Sequence, residues 1–340
     1  MEPGLRIGVL GAAKIAPQAI VRPANAGGRA VITAIAARDR RRAAEFASKH
    51  GIPTVHESYD ALLDDSRIDA VYIPLPNGLH GRWAIAAIRA GKHVLCEKPF
   101  TANAEEARAV AAVADPSPLV MMEAFHWRYH PMAARILELV GDGAIGEVRS
   151  ADASICFPLA SRNDIRWQLD LAGGALMDAG CYPVHMLRHL VGPFAGGEPT
   201  VTEATARVRF PGVDRLTEAE LRFPNGVTAS LRASMWSRHL LSLRVRIHGS
   251  EGRLVALNPL APHYYSSLRV RASAPGAPSF RERPPRSSTY LHQLDAFCDA
   301  VQHGTDFPTT TADSIANMAV IDSIYRVAGL GPRRPTGDAT

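Results

Sequence analysis

The chain has 340 residues, of which 46% are hydrophobic and 21% are charged. This length and composition are typical of a globular protein with two domains, and they exclude a fibrous or largely disordered chain. The net charge of +5 would suit an anionic small molecule or a nucleic acid. Because the basic residues are spread along the chain outside one run near residue 40, we do not expect nucleic-acid binding.

Membrane and disulfide-rich classes are also disfavoured. No apolar run reaches the length of a membrane-spanning helix, and the first residues lack the basic start of a signal peptide, so we expect a cytoplasmic protein without a membrane partner. The four cysteines lie far apart and show no C-x-x-C spacing, so neither disulfides nor a cysteine metal site is expected.

From residue 5 to about residue 122, short β-like runs alternate with helical segments. This alternation predicts βαβ units and therefore an α/β, doubly wound parallel sheet, a Rossmann domain over residues 1–125. Its last helix starts with a capping-box pattern, Asn103 followed by Glu106. The predicted strands are Arg6–Leu10, Val31–Ala36, Ala70–Ile73, His93–Cys96 and Leu119–Met122, and the predicted helices are Lys14–Ala24, Asp39–His50, Leu79–Ala90 and Asn103–Ala114.

Beyond residue 148 the chain changes to longer alternating stretches. These predict a second domain with an antiparallel sheet over residues 126–330, followed by a tail at 331–340. Asn225-Gly226 is a hairpin signal, and the proline- and arginine-rich segment Arg271–Arg286 is predicted to be a loop. The predicted strands are Arg149–Phe157, Val201–Phe210, Thr217–Phe223, Val227–Met235, Ser242–His248 and Arg253–Leu257; the predicted helices are Gly173–Leu190, Tyr290–His303 and Thr311–Ala328, the last two open to packing on the first domain.

The first predicted strand runs into a turn of the form G-x-A-x-x-A. Small residues at such a turn let the backbone approach the pyrophosphate of a dinucleotide, which binds at the helix N-terminus. An ordinary strand-to-helix turn can show the same pattern, but the position after the first strand of a βαβ unit favours dinucleotide binding. The candidate cofactor-binding residues are Gly11, Ala12, Ala13, Lys14 and Ile15.

Arg38 follows the second predicted strand. An acidic residue there usually binds the ribose hydroxyls of NAD, whereas arginine accommodates the 2′-phosphate of NADP. Further arginines, Arg40–Arg42, lie where the helix dipole is already positive, and a bound phosphate would relieve this repulsion. The sequence therefore predicts NADP. Asp39 leaves NAD possible, or it could cap the helix while the arginines face solvent.

Two further loops are expected at the carboxyl edge of the sheet, where open α/β folds bind ligands. A proline-stiffened loop after Ala70–Ile73 is expected to flank the nicotinamide, unless it simply starts the next helix. After His93–Cys96, Lys98 precedes Pro99, so it is expected on a defined turn at the sheet edge, with a surface loop as the alternative. The candidate cofactor-binding residues in these loops are Pro74, Leu75, Asn77, His80, Glu97 and Lys98.

Asp178 and Tyr182 lie four residues apart in a predicted helix entered through Gly173-Gly174, a spacing that puts them on one face. Hydride transfer between a carbinol and a nicotinamide needs a group that exchanges the hydroxyl proton. Tyrosine, with a free pKa of about 10, serves only where a cation stabilises the phenolate. Tyr182 is the candidate for that role, with Lys98 as the cation and Asp178 holding a substrate hydroxyl or the lysine. Alternatively, Tyr182 packs in the helix and Asp178 is a solvated or capping carboxylate.

Trp127 and Arg128 follow the last strand of the first half, at the expected domain junction, where substrate pockets tend to form. They are candidate substrate-binding residues, with interdomain packing as the alternative. His185 and His189 continue the helical spacing but have no obvious third ligand in the sequence, so no metal is expected.

Four motifs together resemble the Gfo/Idh/MocA oxidoreductases: the Gly11–Ala16 turn, Glu97-Lys98-Pro99, the run from Glu123 to Pro131, and Gly173–Tyr182. The chain is most similar to the branch with glucose-fructose oxidoreductase, D-xylose dehydrogenase, dimeric dihydrodiol dehydrogenase and sugar 3-ketoreductases. Many relatives have histidine where this chain has Tyr182, as in inositol dehydrogenases, so the resemblance makes inositol a poorer substrate candidate.

The resemblance implies a Rossmann domain followed by an α/β domain with a large open, mostly antiparallel sheet. The face of that sheet commonly mediates oligomers, here a homodimer or homotetramer. It also implies NAD(P)-linked chemistry on a sugar, either an aldose such as xylose or glucose or a ketosugar, or on a cyclic vicinal diol. Lys98 would orient substrate and stabilise the phenolate, Tyr182 would be the acid/base, and Asp178 would assist. Two alternatives stay open: a nucleotide-linked 3-ketosugar reductase, for which Arg128 and the Arg271–Arg286 segment would meet a diphosphate, and a non-catalytic NADP-sensing regulator.

Overall fold

The computed structural model describes residues 4–273 and 279–337. The chain divides into two compact units, residues 4–126 with Tyr290–Ile315 and residues 127–289 with 316–337. The sequence-based boundary at residues 125/126 lies one residue from this division, but the first unit also takes in a segment from near the end of the chain.

The first unit contains a parallel sheet of six strands in the order β3-β2-β1-β4-β5-β6, which confirms the predicted Rossmann fold. The middle strands are buried on both faces, as expected where helices cover a parallel sheet. Its strands are β1 (Leu5–Leu10), β2 (Ala30–Ala36), β3 (Thr54–Val55), β4 (Ala70–Ile73), β5 (His93–Cys96) and β6 (Met121–Glu123); its helices are α1 (Arg22–Gly27), α2 (Arg40–His50), α3 (Tyr59–Leu63), α4 (His80–Arg89) and α5 (Ala104–Ala114).

The helix predicted from Lys14 begins later in the structure. The chain forms a π-helical turn over Pro17–Val21 before α1 begins at Arg22. Pro17 has no backbone N–H and is well suited to a first helical position, which explains the later start. The strand β3 and the helix α3 were not predicted, because each is too short to show a periodic pattern.

The returning segment is anchored to the first unit by specific polar contacts. The Ser314 hydroxyl donates to the buried Glu123 carboxylate at 2.6 Å, and the Thr309 hydroxyl donates to the Glu123 carbonyl at 2.8 Å. An ion pair joins Arg29 to Asp299 at 2.7 Å. The helix α8 (Thr289–His303) lies in this segment, and α9 (Thr311–Val327) starts in it and continues into the second unit.

The second unit contains an eight-stranded sheet in the order β14-β13-β12-β11-β7-β10-β9-β8. All neighbouring pairs are antiparallel except β7 and β10, so the predicted mostly antiparallel sheet is confirmed. The strands are β7 (Val148–Cys156), β8 (Thr200–Phe210), β9 (Val213–Arg222), β10 (Thr228–Ser234), β11 (Ser242–Gly249), β12 (Gly252–Leu257), β13 (Ser267–Ala272) and β14 (Phe280–Glu282); the helices are α6 (Pro131–Gly141) and α7 (Cys181–Ala195).

The helix α7 covers one face of this sheet, packing against β7, β10 and β11. The predicted hairpin turn joins β9 to β10, where Gly226 has a φ of 90° and the Asn225 side chain accepts a hydrogen bond from the Val227 N–H at 3.1 Å. Among residues 4–273 and 279–337, no helix combines the length and apolar character needed to cross a bilayer.

The helix α6 and the strand β13 were not predicted, and two expectations for this unit need correction. The prediction of a loop over Arg271–Arg286 is wrong in part, because Arg271 and Ala272 end β13 and Phe280–Glu282 form β14. Pro275 and Pro278 lie outside the described residues. The helix predicted from Gly173 starts only at Leu176, as a π-helical turn over Leu176–Gly180, because the N–H groups of Gly173 and Gly174 bond back to the carbonyls of Gln168 and Arg166.

The cap of α5 follows the prediction and holds an unusual carboxyl. The Asn103 side chain accepts a hydrogen bond from the Glu106 N–H at 2.9 Å, and Glu106 accepts one from the Ala102 N–H at 2.8 Å. The Glu106 carboxyl lies against Gly81 of α4, where an added Cβ would overlap it. Burial raises the pKa of Glu106 to about 7, and the Ala102 hydrogen bond offsets only part of this rise.

We expect Glu106→Gln to stabilise the protein at pH 8 by about 1–3 kcal/mol and much less at pH 5. The unfolded chain loses this proton near pH 4.5 and the folded chain near pH 7, so the free energy of unfolding falls as pH rises between these values. The amide still accepts from the Ala102 N–H. Denaturant unfolding at both pH values measures the effect, and the exposed neighbour Glu105→Gln is the control. An equal effect of Glu106→Gln at both pH values would contradict the pKa assignment.

Candidate active site

Gly11 ends β1 and forms the turn predicted to cradle a dinucleotide. Its φ of 111° is a conformation that residues with a side chain rarely adopt. Its N–H donates to the Ala36 carbonyl of β2 at 2.8 Å, and an added Cβ would lie 3.0 Å from the Leu75 side chain. Ala12, Ala13 and Ile15 are half-buried and Lys14 is exposed.

A cluster of arginines follows β2 beside this turn. Asp39 caps α2 by accepting hydrogen bonds from the N–H groups of Arg41 and Arg42 at 3.0 and 3.2 Å. The carboxylate is therefore engaged by the helix terminus. Arg38, just before it, is exposed, and the Arg42 guanidinium donates to the Ala12 carbonyl at 3.3 Å. The structure thus brings positive charge from two arginines to the edge that carries the Gly11 turn.

His80 links the loop after β4 to the Lys98-Pro99 turn. Its two ring nitrogens lie 2.8 Å from the carbonyl oxygens of Leu75 and Pro99, and the side chain is 1% exposed. Both carbonyls favour the doubly protonated ring, but burial outweighs them and lowers the pKa of His80 to about 4. The ring is neutral at pH 7 and adds no charge beside Lys98, so His80 supports the two loops from within.

Lys98 lies on a stiff turn after β5. The Glu97 side chain below it is buried, accepting from the Tyr72 hydroxyl at 2.7 Å and from the Lys98 N–H at 3.3 Å. Lys98 itself is half-buried, and the Lys98-Pro99 peptide is cis. The loop residues Pro74 and Leu75 are buried, and Asn77 begins a 3₁₀ turn over Asn77–Leu79.

In the second unit, Asp178 and Tyr182 lie on either side of a change in helix type. Asp178 is in the π-helical turn and Tyr182 is the second residue of α7. Both are buried, with 9% and 7% exposure. A π-helical turn is a rare departure from α geometry that is frequent at functional sites.

Arg166 was missed by the sequence analysis, although it contacts a predicted site residue. Its Nε lies 3.2 Å from the Asp178 carboxylate and its Nη1 lies 3.1 Å from that of Asp164. Burial lowers the pKa of the Arg166 guanidinium, but the two carboxylates outweigh burial and raise it above its usual value. Its twelve-residue distance from Asp178 in the sequence carries no helical or strand periodicity, so only the fold could reveal this pair.

A buried carboxylate, Asp214, holds the loop that leads into the π-helical turn. It is fully buried and accepts hydrogen bonds from the Leu176 N–H at 2.7 Å and from the Tyr325 hydroxyl at 2.9 Å. It also pairs with the Arg333 guanidinium at 2.7 Å, and Arg333 donates from Nε to the Gly173 carbonyl at 2.8 Å. Arg333 lies in the segment predicted only as a tail, and it is 3% exposed.

Trp127 is placed in the core of the second unit. It is 1% exposed, and its indole N–H donates to Nδ1 of His185 at 3.2 Å. The rings of His185 and His189 lie 4.2 Å apart. Trp127 therefore packs within the second unit, and its role in substrate binding stays a prediction. Arg128 is half-buried in the 3₁₀ turn His126–Tyr129.

Comparison with known proteins now identifies the family. A family model described as "Oxidoreductase family, NAD-binding Rossmann fold", of the Gfo/Idh/MocA group, matches residues 5–125. A second, the Gfo/Idh/MocA C-terminal domain, matches residues 133–255. The chain belongs to the Gfo/Idh/MocA oxidoreductase family. The resemblance inferred from the motifs and the prediction of an oxidoreductase are therefore confirmed.

Relatives of this Gfo/Idh/MocA oxidoreductase align over nearly its whole length. D-xylose 1-dehydrogenase (NADP(+)) 2 of Haloferax volcanii is 37% identical over 96% of this chain and 98% of that protein. The dTDP-3,4-didehydro-2,6-dideoxy-alpha-D-glucose 3-reductase of Streptomyces antibioticus is 35% identical over 96% of this chain and 98% of that protein. Among solved structures, a 3-ketoreductase from Actinomadura kijaniata in complex with NADP and TDP-benzene has a TM-score of 0.86 and 32% identity, covering 95% of this chain and 97% of that one.

The residues of the first unit of this Gfo/Idh/MocA oxidoreductase fit a nicotinamide dinucleotide. The Gly11 turn is a cradle that a Cβ would fill, and the helical segment that follows it gives the amide dipoles that favour phosphate. The arginines beside the turn supply positive charge. The loops containing Leu75 and Lys98 leave the same carboxyl edge of the sheet.

Proposed function

We propose that the protein is an NADP-preferring dehydrogenase or reductase that acts on a carbinol or carbonyl carbon of a sugar or a cyclic vicinal diol. The sugar would be an aldose, such as xylose or glucose, or a ketosugar. The observation that carries this proposal is the buried Tyr182 next to a π-helical turn with the acid Asp178, in a chain whose first unit has a dinucleotide turn at Gly11. The names of the Haloferax and Streptomyces relatives support a sugar substrate.

In this proposal Tyr182, Lys98 and Asp178 have different roles. A bound nicotinamide would supply the acceptor or donor of hydride at the reacting carbon. The phenol oxygen of Tyr182 takes the proton from the substrate hydroxyl, or returns it, as the carbon is oxidised or reduced. The Lys98 ammonium stabilises the phenolate and orients the substrate oxygen. Asp178 accepts a hydrogen bond from a second substrate hydroxyl.

We expect Tyr182→Phe to lower kcat by about 100-fold or more, because general acid–base catalysis typically contributes 10²–10⁴-fold. The dissociation constant of NADPH, followed by its fluorescence, should stay within about twofold, because the change removes only a hydroxyl that acts on the substrate. Tyr264→Phe, at a side chain that is 60% exposed, is the matched control. Retained turnover in Tyr182→Phe would remove the acid/base assignment.

A preference for NADP over NAD is proposed from the arginines beside the Gly11 turn. Asp39 caps α2, so the carboxylate that would bind the ribose hydroxyls of NAD already accepts hydrogen bonds from the start of this helix. Arg38 is exposed next to it, and the start of α2 carries no acidic residue in its first turn. A 2′-phosphate would neutralise this edge.

We expect Arg38→Ser to weaken NADPH binding about 10- to 100-fold, the value of a charge-assisted hydrogen bond, and to change NADH binding less than about threefold. Equilibrium titration of both reduced cofactors measures this. Arg41→Ser is the matched control, because the Arg41 side chain is 82% exposed and faces Glu45. Equal losses for NADPH and NADH in Arg38→Ser would contradict a 2′-phosphate contact.

The substrate is tested by a coenzyme-reduction screen over aldoses, polyols and aromatic dihydrodiols, with NADP and NAD in parallel. A second candidate is a nucleotide-linked 3-ketosugar reductase, favoured by the Streptomyces relative and by the exposed Arg283 and Arg286 after β14. Inhibition of sugar turnover by dTDP would favour this candidate. No activity in the screen, together with reduction of a dTDP-linked ketosugar, would replace the first proposal by the second.

Self-association through the large sheet is proposed from the charges on its outer face, the face opposite α7. One residue from each strand is paired in register with the next, so that these residues form a row across the sheet. The row is acidic at its β8 end and basic at its β14 end. Like charges that lie directly opposite each other destabilise a sheet, and burial together with repulsion from Glu203 raises the pKa of Glu220. In order, the row is Glu203, Glu220, Ser230, Asp152, Arg246, Val255, Arg269 and Arg281.

A second copy of the chain would relieve the repulsion between like charges at both ends of this row. If the two-fold axis lies in the interface and parallel to the strands, the acidic end of one copy meets the basic end of the other. One observation supports this arrangement: Leu240, Leu241 and Tyr264 are exposed in neighbouring loops. A homodimer of this kind, or a homotetramer built from it, is the expected assembly.

We expect Arg269→Glu with Arg281→Glu to dissociate the oligomer, and Glu203→Arg with Glu220→Arg to do the same. Combining all four changes should restore association, because the complementary ends are then exchanged. Sedimentation velocity measures the state, and Arg283→Glu, outside the strands, is the control. A monomeric wild type, or an oligomer that resists both charge reversals, would overturn the interface.

A further inference from the structure

The Arg166 guanidinium contacts two carboxylates, each through a different nitrogen. Nε faces Asp178 at 3.2 Å and Nη1 faces Asp164 at 3.1 Å. The Asp178 side chain is 8% exposed, whereas that of Arg166 is 41% exposed. The guanidinium thus reaches from a partly open position to a carboxylate that is almost completely shielded from water.

The backbone of Arg166 also defines the entry to the element that carries Asp178. Its carbonyl accepts the Gly174 N–H at 3.0 Å. An added Cβ at Gly173 would lie 2.5 Å from the same carbonyl oxygen, so the loop approaches Arg166 as closely as a glycine permits. Backbone and side chain of this one residue therefore fix both where the π-helical turn starts and where its carboxylate is held.

The charge of Arg166 selects the ionised form of Asp178. A carboxylate shielded from water is costly unless a cation and hydrogen bonds compensate it. The attraction also favours the charged form of the arginine, because the two carboxylates raise the pKa of its guanidinium despite burial. An ionised carboxylate accepts hydrogen bonds and donates none.

We propose that Arg166 is a positioning residue that keeps Asp178 ionised and in one orientation, and thereby makes the enzyme select substrates with a hydroxyl donor beside the reacting carbon. This inference rests on the proposed function, in which Asp178 meets a substrate hydroxyl. A substrate that presents an ether or hydrogen at that place has no proton to donate, so one hydrogen bond to the carboxylate is lost. Selection of this kind is strong, since a site built to hydrogen-bond a substrate hydroxyl discriminates against the analogue that lacks it.

A double-mutant cycle tests whether Arg166 acts through Asp178. We expect Arg166→Met to lower kcat/KM about 10- to 100-fold. Adding Arg166→Met to Asp178→Asn should cause little further loss, because the amide carries no charge for Arg166 to hold. Arg166→Lys should recover part of the activity. Arg209→Met is the matched control, since the Arg209 guanidinium lies over the Trp167 ring at 4.8 Å in the same unit.

The second readout is discrimination between a substrate and its deoxy or O-methyl analogue at the hydroxyl next to the reacting carbon. The wild type should prefer the parent substrate at least about tenfold more strongly than Arg166→Met does. A structural defect alone would lower both activities and leave their ratio unchanged, and that result would overturn the proposal. Additive losses in the cycle would overturn it as well. Absence of turnover in the wild type and in Arg209→Met would instead count against the proposed function itself.

Discussion

All strands of the first sheet run in the same direction, so the loops that follow β1, β2, β4 and β5 leave it at one edge. This constraint brings the Gly11 turn, the arginines after β2 and the Lys98 turn to the same side of the unit. A parallel sheet is covered by helices on both faces, so its middle strands must be largely apolar, as β1 and β4 are. His80 then joins two of these loops by facing the carbonyls of Leu75 and Pro99.

In the second unit, buried charged side chains hold the candidate site residues in place. Asp214 accepts hydrogen bonds from a backbone N–H at Leu176, a tyrosine and an arginine, so the start of the π-helical turn is tied to the end of the chain through Arg333. Such a carboxylate is tolerable in the interior only because it is fully hydrogen-bonded. Asp178 and Tyr182 follow directly on this anchored segment, and Arg166 holds Asp178 from the other side. The proposed acid/base residue and its partner therefore lie in a region whose backbone has few alternatives.

Local patterns were most reliable where one short stretch of chain contains the whole physical cause. The strands Ala70–Ile73 and His93–Cys96 were predicted to the residue, because a continuous apolar run is all that a buried parallel strand requires. The cap at Asn103 and the Asn225-Gly226 hairpin also depend on neighbours a few residues away. The π-helical turn at Leu176–Gly180 was not predicted, since its start depends on how Gly173 and Gly174 are held by the carbonyls of Gln168 and Arg166.

The sequence alone determined the two fold classes, the family and the candidates Lys98, Asp178 and Tyr182, because apolar periodicity and short motifs are local properties. Only the tertiary structure decided that His80 faces two carbonyls and that Arg166 and Arg333 bind buried carboxylates. These contacts join residues whose separation in the chain has no periodicity. Their strength comes from exclusion of water, which exists only once the chain has folded.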